Sequence, residues 1–468
     1  MFTLTAHYQR EQQHDRWLRR INTLLVIIFF IKLGGFFTWS ENVAITRVIK
    51  VFSRLMMTTW VIYIYYQIIE RGAIGSFKWQ HGMSPLLYTG YLALGLISFM
   101  WSSNIGVSAL QWFMDMESFV FAYYFIACFI LLENYFPDSP IKLYNVVGNG
   151  VLLMISIFLI GMFAAPEAFY RMTHGGEEAR LGGYFMNPNE LGMLAAVGVS
   201  CFIFNYYTGK KMVWNTIKIL LLMWAIVMTG SRSTTIGALL IAFFHIRQSS
   251  NTKLKYAMYA GAFMVIPLAI EKMVVKEHAG GLEEVMSMTG RLPFWTALIT
   301  EGLPQEPLFG FGFMRIAYKD YFQSVHTYAG QMTHNTFIQV LMNLGFVGFT
   351  LVLFQVIFTL RGFFNQLTKE RRLFTTGMFI PIFINSLTEF GIFGETNYGI
   401  LFYQVLIIYI SLTINRRTTP AEQIFLRKRR PELFAAPAAA MSLAPVGIPN
   451  NGMMPPDNGR PHRTGLSN

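Results

Sequence analysis

Three short pieces, Gly290-Arg291-Leu292-Pro293-Phe294-Trp295, Pro307-Leu308-Phe309-Gly310-Phe311-Gly312-Phe313 and Thr333-His334-Asn335, punctuate residues 271–335, the longest polar interruption in an otherwise apolar chain. The stretch ends directly before the apolar run Phe337 to Phe358. A histidine at the mouth of an apolar helix, with arginines converging on it, suggests chemistry on an anionic, lipid-linked substrate at a membrane surface.

The bulk composition agrees with that frame. Hydrophobic residues make up 53% of 468 and charged residues 13%, the balance of an integral membrane protein rather than of soluble domains. The net charge of +12 is spread between apolar runs, so it reads as membrane orientation and lipid contact, and nucleic acid is not expected as a partner. Cys128 and Cys201 both sit in apolar runs, which leaves no disulfide framework and no CxxC metal motif. The first apolar run, Ile21 to Phe37, follows basic residues but precedes no small-residue cleavage site, so no cleavable signal peptide is expected.

A membrane span needs about 20 apolar residues. The hydropathy pattern predicts an all-α, polytopic helix bundle of about twelve spans: 21–39, 48–69, 85–101, 107–132, 144–165, 191–207, 214–229, 234–246, 256–270, 336–360, 373–388 and 398–414. Basic residues orient them. With residues 1–20 and Arg10, Arg16, Arg19 and Arg20 inside, alternation also puts Lys210, Lys211, Arg247, Lys253, Lys255, Arg361, Lys369, Arg371 and Arg372 inside. The unit 21–415 is then a transmembrane domain with one large outer loop, 271–335, containing short helices. Residues 416–468 form a basic and then Ala/Pro/Gly/Asn-rich, disordered cytoplasmic tail. Arg171, Arg180, Arg232, Lys272, Lys276, Arg291, Arg315 and Lys319 fall outside, where the orientation rule does not explain them.

Several of these have local contexts suited to an anion. Arg180 opens Arg180-Leu181-Gly182-Gly183-Tyr184-Phe185-Met186-Asn187-Pro188-Asn189-Glu190, in which Asn187-Pro188-Asn189 leads into a helix N-terminus. Arg232, in Thr229-Gly230-Ser231-Arg232-Ser233, lies between two apolar runs with almost no loop around it. The plainer reading of both is an arginine snorkelling beside headgroups. Arg291 precedes Pro293, which fits the first turn of a short helix, and is otherwise an ordinary loop charge. For His334, Asn335-Thr336 can cap the following helix; His174, His278 and His326 compete with it, and a lone histidine is more often structural. Asp115, Glu117 and Glu389 are the sparse acids of the predicted spans and candidates by depth alone. The outer loops hold no Asp-x-Asp motif and the chain no P-loop.

These stretches in this order resemble the O-antigen ligase and O-antigen polymerase family. The resemblance is carried by residues 180–191, Thr229-Gly-Ser-Arg-Ser233, Gly290–Trp295, Pro307–Gly312, and His334-Asn335 followed by Gly345-Phe-Val-Gly348, over roughly residues 100–415. It implies a bacterial inner-membrane glycosyltransferase with both termini cytoplasmic and a periplasmic site. The donor is a glycan on undecaprenyl diphosphate, and the acceptor a hydroxyl of lipid A–core or of another glycan. By that resemblance Arg180, Arg232 and Arg291 bind the diphosphate and His334 is the base. Asn187, Asn189, Ser231, Asn335 and Arg315 would support them, with no metal or cofactor. Ligase is the first expectation and polymerase the second. A transporter of an anionic or lipid-linked solute is the rival from another class, disfavoured because the residues gather beside one large loop.

Overall fold

The computed structural model describes residues 2–71, 73, 75–136, 139, 141–173, 178–207, 212–248, 252, 255–256, 291–313, 333–366, 368–389 and 391–416. All of the span expected at 256–270 beyond its first residue, loop residues 271–290 and 314–332, Arg315, His174, His278, His326 and the tail beyond 416 lie outside them.

The described chain is mostly helical. In order the helices are α1 (Phe2–Gly34), α2 (Val43–Glu70), α3 (Met83–Ile97), α4 (Ile105–Tyr135), α5 (Leu143–Ala164), α6 (Pro166–Phe169), α7 (Pro188–Tyr207), α8 (Met212–Thr229), α9 (Arg232–Gln248), α10 (Arg291–Ala297), α11 (Thr336–Phe364), α12 (Lys369–Thr388) and α13 (Tyr398–Ser411). The all-α expectation needs one amendment. Strand β1 (Gly75–Trp79) pairs antiparallel with β4 (Leu412–Arg416), and β2 (Tyr170–Thr173) with β3 (Glu178–Leu181), two small sheets at helix ends. Helix α1 also starts far upstream of the apolar run that predicts it, because the polar residues before Ile21 are mostly good helix formers.

Among the described residues, five helices are long and apolar enough to cross a membrane: Val43–Glu70, Met83–Met100 including a 3₁₀ turn, Ile105–Tyr135, Leu143–Ala164 and Thr336–Phe364. The remaining expected runs with described residues are helical too, but shorter or more polar. Helix α13 is buried along its whole length, so it forms the centre of the bundle, as an all-round apolar sequence requires.

Asparagine sets several boundaries. Asn42, Asn104, Asn335 and Asn397 each accept backbone N–H bonds at the start of a helix. Loops on alternate sides of the helices then collect at two ends. At one, Thr38 N donates to Phe185 O (2.9 Å) and Ser103 N to Phe311 O (3.4 Å). At the other, Gln80 N donates to Ser411 O (2.7 Å) beside the β1–β4 sheet.

Helix α11 is broken ten residues in. Gly345 takes φ 60°, ψ −162°, and a Cβ there would lie 2.4 Å from the Leu308 carbonyl. The glycine-rich segment 307–312 fills the break. Phe346 N donates to Pro307 O (2.8 Å), Phe311 N to Met342 O (3.0 Å) and Gly312 N to Asn343 O (2.8 Å). The backbone groups freed by the break are thereby satisfied, as a low-dielectric interior demands.

A candidate active site around Glu389

The first end of the bundle holds a buried carboxylate that gathers residues from three separate parts of the chain. Glu389 follows the last residue of α12 and is 1% exposed. Its Oε1 accepts from Asn189 Nδ2 (2.7 Å) and Arg291 Nη2 (2.8 Å), and its Oε2 meets His334 Nδ1 at 2.6 Å. Burial pushes the Glu389 carboxyl up, but the hydrogen bond and charge of His334, with Arg291, outweigh it and hold it below the usual carboxylate value. An ionised acceptor fixes the donor: Nδ1–H of His334 donates to Oε2.

Each partner is placed by local structure. Asn187 caps α7, its Oδ1 accepting from Asn189 N (2.9 Å). This orients the Asn189 amide between two charged groups: its Oδ1 accepts from Arg180 Nη2 (2.7 Å) while its Nδ2 serves Glu389. Arg180, on β3, also donates from Nε to Thr229 O (2.7 Å) at the end of α8. The turn after β3 demands glycine. Gly183 has φ 58°, and a Cβ on it would lie 2.1 Å from Ala168 O.

Arg291 begins α10 and also donates from Nη1 to Thr388 O. A small apolar cluster of Phe294, Leu298, Leu303, Phe311 and Met342 seats that helix. Trp295 Nε1 donates to Thr333 O (2.6 Å), tying α10 to the residue before the histidine.

His334 has φ 50°, the one positive φ on a non-glycine among the described residues. That conformation costs about 1–2 kcal/mol and persists only where the surroundings impose it. The cap that follows does so. Asn335 Oδ1 accepts from Phe337 N (2.9 Å) and Ile338 N (3.1 Å), and its Nδ2 donates to Leu387 O (3.2 Å).

Ser231 is buried and caps α9 through Thr234 N (3.3 Å) and Thr234 Oγ1 (2.8 Å), so its hydroxyl is engaged within the helix start. Arg232 stands in the first turn of α9, half-buried, without an ion pair among the described residues. Thr234 Oγ1 donates to Asn189 O (3.3 Å), which brings this helix start against α7. The structure thus joins Arg180, Asn189, Arg291 and His334 in one network, and sets Arg232 beside it rather than in it.

Glu389, the hub, is the residue the sequence reading left outside the site, counting it only among the sparse acids of the spans. Its depth at a span end was the available signal; its three partners were not visible. The N-termini of α7, α9, α11 and α13 meet here, linked by Tyr398 OH donating to Glu190 O and Gly391 N to Thr336 Oγ1 (3.0 Å). Converging helix N-termini favour an anion. Among the described residues no group of three or more His, Cys, Asp or Glu comes together to hold a metal ion.

Residues 217–353 match the family model described as O-antigen ligase. That stretch contains Arg232, Arg291 and His334, while Arg180, Asn189 and Glu389 lie outside it. None of the curated proteins matches the chain.

Proposed function

The chain is a multi-pass membrane protein whose residues 217–353 belong to the O-antigen ligase family, and from that premise we propose that it transfers a glycan from undecaprenyl diphosphate to an acceptor hydroxyl at the periplasmic face of the bacterial inner membrane. The observation that carries this reading is the His334–Glu389 pair, held in a strained backbone beside Arg291 and open on one side. The side chains of His334 and Arg291 are 17% and 16% exposed, against 2% for Glu389.

With Nδ1–H committed to Glu389, proton exchange with substrate runs through Nε2. The acceptor O–H gives its proton to Nε2 as the oxygen forms a bond to the anomeric carbon. The bond from that carbon to the diphosphate oxygen breaks, and undecaprenyl diphosphate leaves with the electron pair. The imidazolium formed is stabilised by the Glu389 carboxylate and later loses its proton to water. Arg232 and Arg291, with Arg180 behind Asn189, supply fixed positive charge for the leaving group, and the helix N-termini add to it. The reading requires no metal, because preorganised guanidinium groups meet diphosphate bidentately.

Lipid A–core is the acceptor of the ligase reading, and the end of another lipid-linked chain that of the polymerase reading. The test is reconstitution of purified protein with a lipid-linked glycan donor and lipid A–core. Transfer to lipid A–core supports the ligase assignment. Growth of lipid-linked glycan with the core untouched replaces it by the polymerase, and no transfer to either removes the enzyme reading.

A further inference from the structure

At the opposite end of the bundle a cavity of about 430 Å³ opens between the end of α4, the start of α5, the start of α12, the end of α13 and strand β4. Glu133, Lys142, Glu370 and Arg371 line it. Among the described residues no ion pair joins any two of these four side chains, although the charges of Lys142 and Arg371 reach Glu133. Aromatic rings form its floor. Tyr144 lies 6.1 Å from Phe374, and Phe374 5.8 Å from Tyr409. The Arg371 guanidinium stacks 4.4 Å over Tyr409 and spends one donor on Tyr409 O (3.2 Å), out of five.

The polarity of this cavity is ordered. Lys142 and Arg371 sit at the N-termini of α5 and α12, where the helix dipoles are positive, and Glu370 shares the first turn of α12 with Arg371. Glu133 and Tyr409 sit in the last turns of α4 and α13, where the dipoles are negative. Opposite charges that share a cavity without closing on each other suit a ligand carrying both signs. Helix ends of a multi-pass protein lie at headgroup depth, where tyrosine-rich surfaces are at home.

We propose that this cavity binds the headgroup of an ethanolamine phospholipid, with phosphate at Lys142 and Arg371 and ammonium at Glu133 beside the Tyr144 ring. The ammonium is a compact donor for a carboxylate and for aromatic faces. The phosphate finds an arginine fork and a lysine. A headgroup with negative charge alone would leave Glu133 facing it.

Delipidated full-length protein is titrated with dioleoyl phosphatidylethanolamine, dioleoyl phosphatidylglycerol or soluble phosphoethanolamine, and bound adducts are counted by native mass spectrometry. The expected result is tighter binding of the ethanolamine lipid than of the glycerol lipid, and weak binding of soluble phosphoethanolamine. Glu133→Gln is expected to weaken the ethanolamine lipid by about tenfold, the loss of one charge-assisted contact, and to bring the two lipids level. Lys142→Gln is expected to weaken both. Preference of the wild-type protein for phosphatidylglycerol, or equal binding of the two, overturns the zwitterion assignment even if a variant fails to fold. Soluble phosphoethanolamine binding as tightly as the lipid overturns the lipid assignment.

Discussion

Two buried glutamates, Glu117 inside the bundle and Glu389 at its end, each collect two basic partners, and they differ in what surrounds those partners. Glu117 on α4 bonds Lys32 of α1 and, at 3.2 Å, Arg54 of α2, with Thr58 also donating to it. Arg54 adds a hydrogen bond to Ser118 Oγ and lies 4.3 Å over the Phe36 ring. The side chains of Lys32 and Arg54 are 0% and 2% exposed, so this group is closed and ties three helices together. Around Glu389 the carboxylate is equally hidden, yet His334 and Arg291 reach the surface. Similar charge chemistry is structural where its cations are sealed and can act where they are open. Depth alone, which ranks both acids as functional candidates, does not separate them.

The comparison breaks most readily at His334. His334→Ala is expected to lower transfer by about 10²–10⁴, the usual worth of a positioned general base, while donor binding survives. In vitro transfer beside a separate donor-binding assay checks this; full transfer removes His334 as the base, and lost binding moves it into the diphosphate site.

Next come the two glutamates themselves. Glu117→Gln leaves two buried cations without their counter-ion and is expected to cost about 3–5 kcal/mol of stability, with activity per folded molecule unchanged. Glu389→Gln is expected to do the reverse: transfer falls because the His334 tautomer and imidazolium lose their anchor, and the melting temperature moves less. Melting curves and single-turnover rates on both variants decide it, and the same pattern in both would falsify the distinction drawn between them.

Smaller effects sharpen the roles of the arginines. Arg291→Lys keeps a charge but loses the planar fork that bonds Glu389 and the Thr388 carbonyl together. Arg291→Lys and Arg232→Lys are each expected to impair transfer nearly as much as alanine; near wild-type rates with lysine at both positions would reduce them to generic positive charge. Smallest is the cap: Asn335→Ala is expected to cost about 1 kcal/mol of stability and, by loosening the strained His334 backbone, to lower the transfer rate more than donor affinity. Unchanged kinetics would show that the histidine is positioned without it.

Much of the architecture was legible because its signals are local. Apolar runs mark α2 to α5, α7, α8, α11 and α13, and Asn335 caps α11 from the position that short-range reasoning gives it. Pro293 stands in the first turn of a short helix, as its fixed φ suggests. The paired glycine motifs at 310–312 and 345 were visible as composition, but their purpose, one segment filling the break in another, was not. The small sheets were missed because each strand is only four or five residues, and β1 and β4 lie on opposite sides of most of the chain.

The sequence by itself determined a helical, multi-pass membrane protein with arginines and a histidine in polar breaks, because hydropathy and capping act within a few residues. Only the tertiary structure decided which of those residues meet. Asn189, Arg291 and His334 converge on Glu389 from positions 200, 98 and 55 residues away along the chain. A buried carboxylate holds whatever donors packing brings to it, and packing is a property of helices meeting in space.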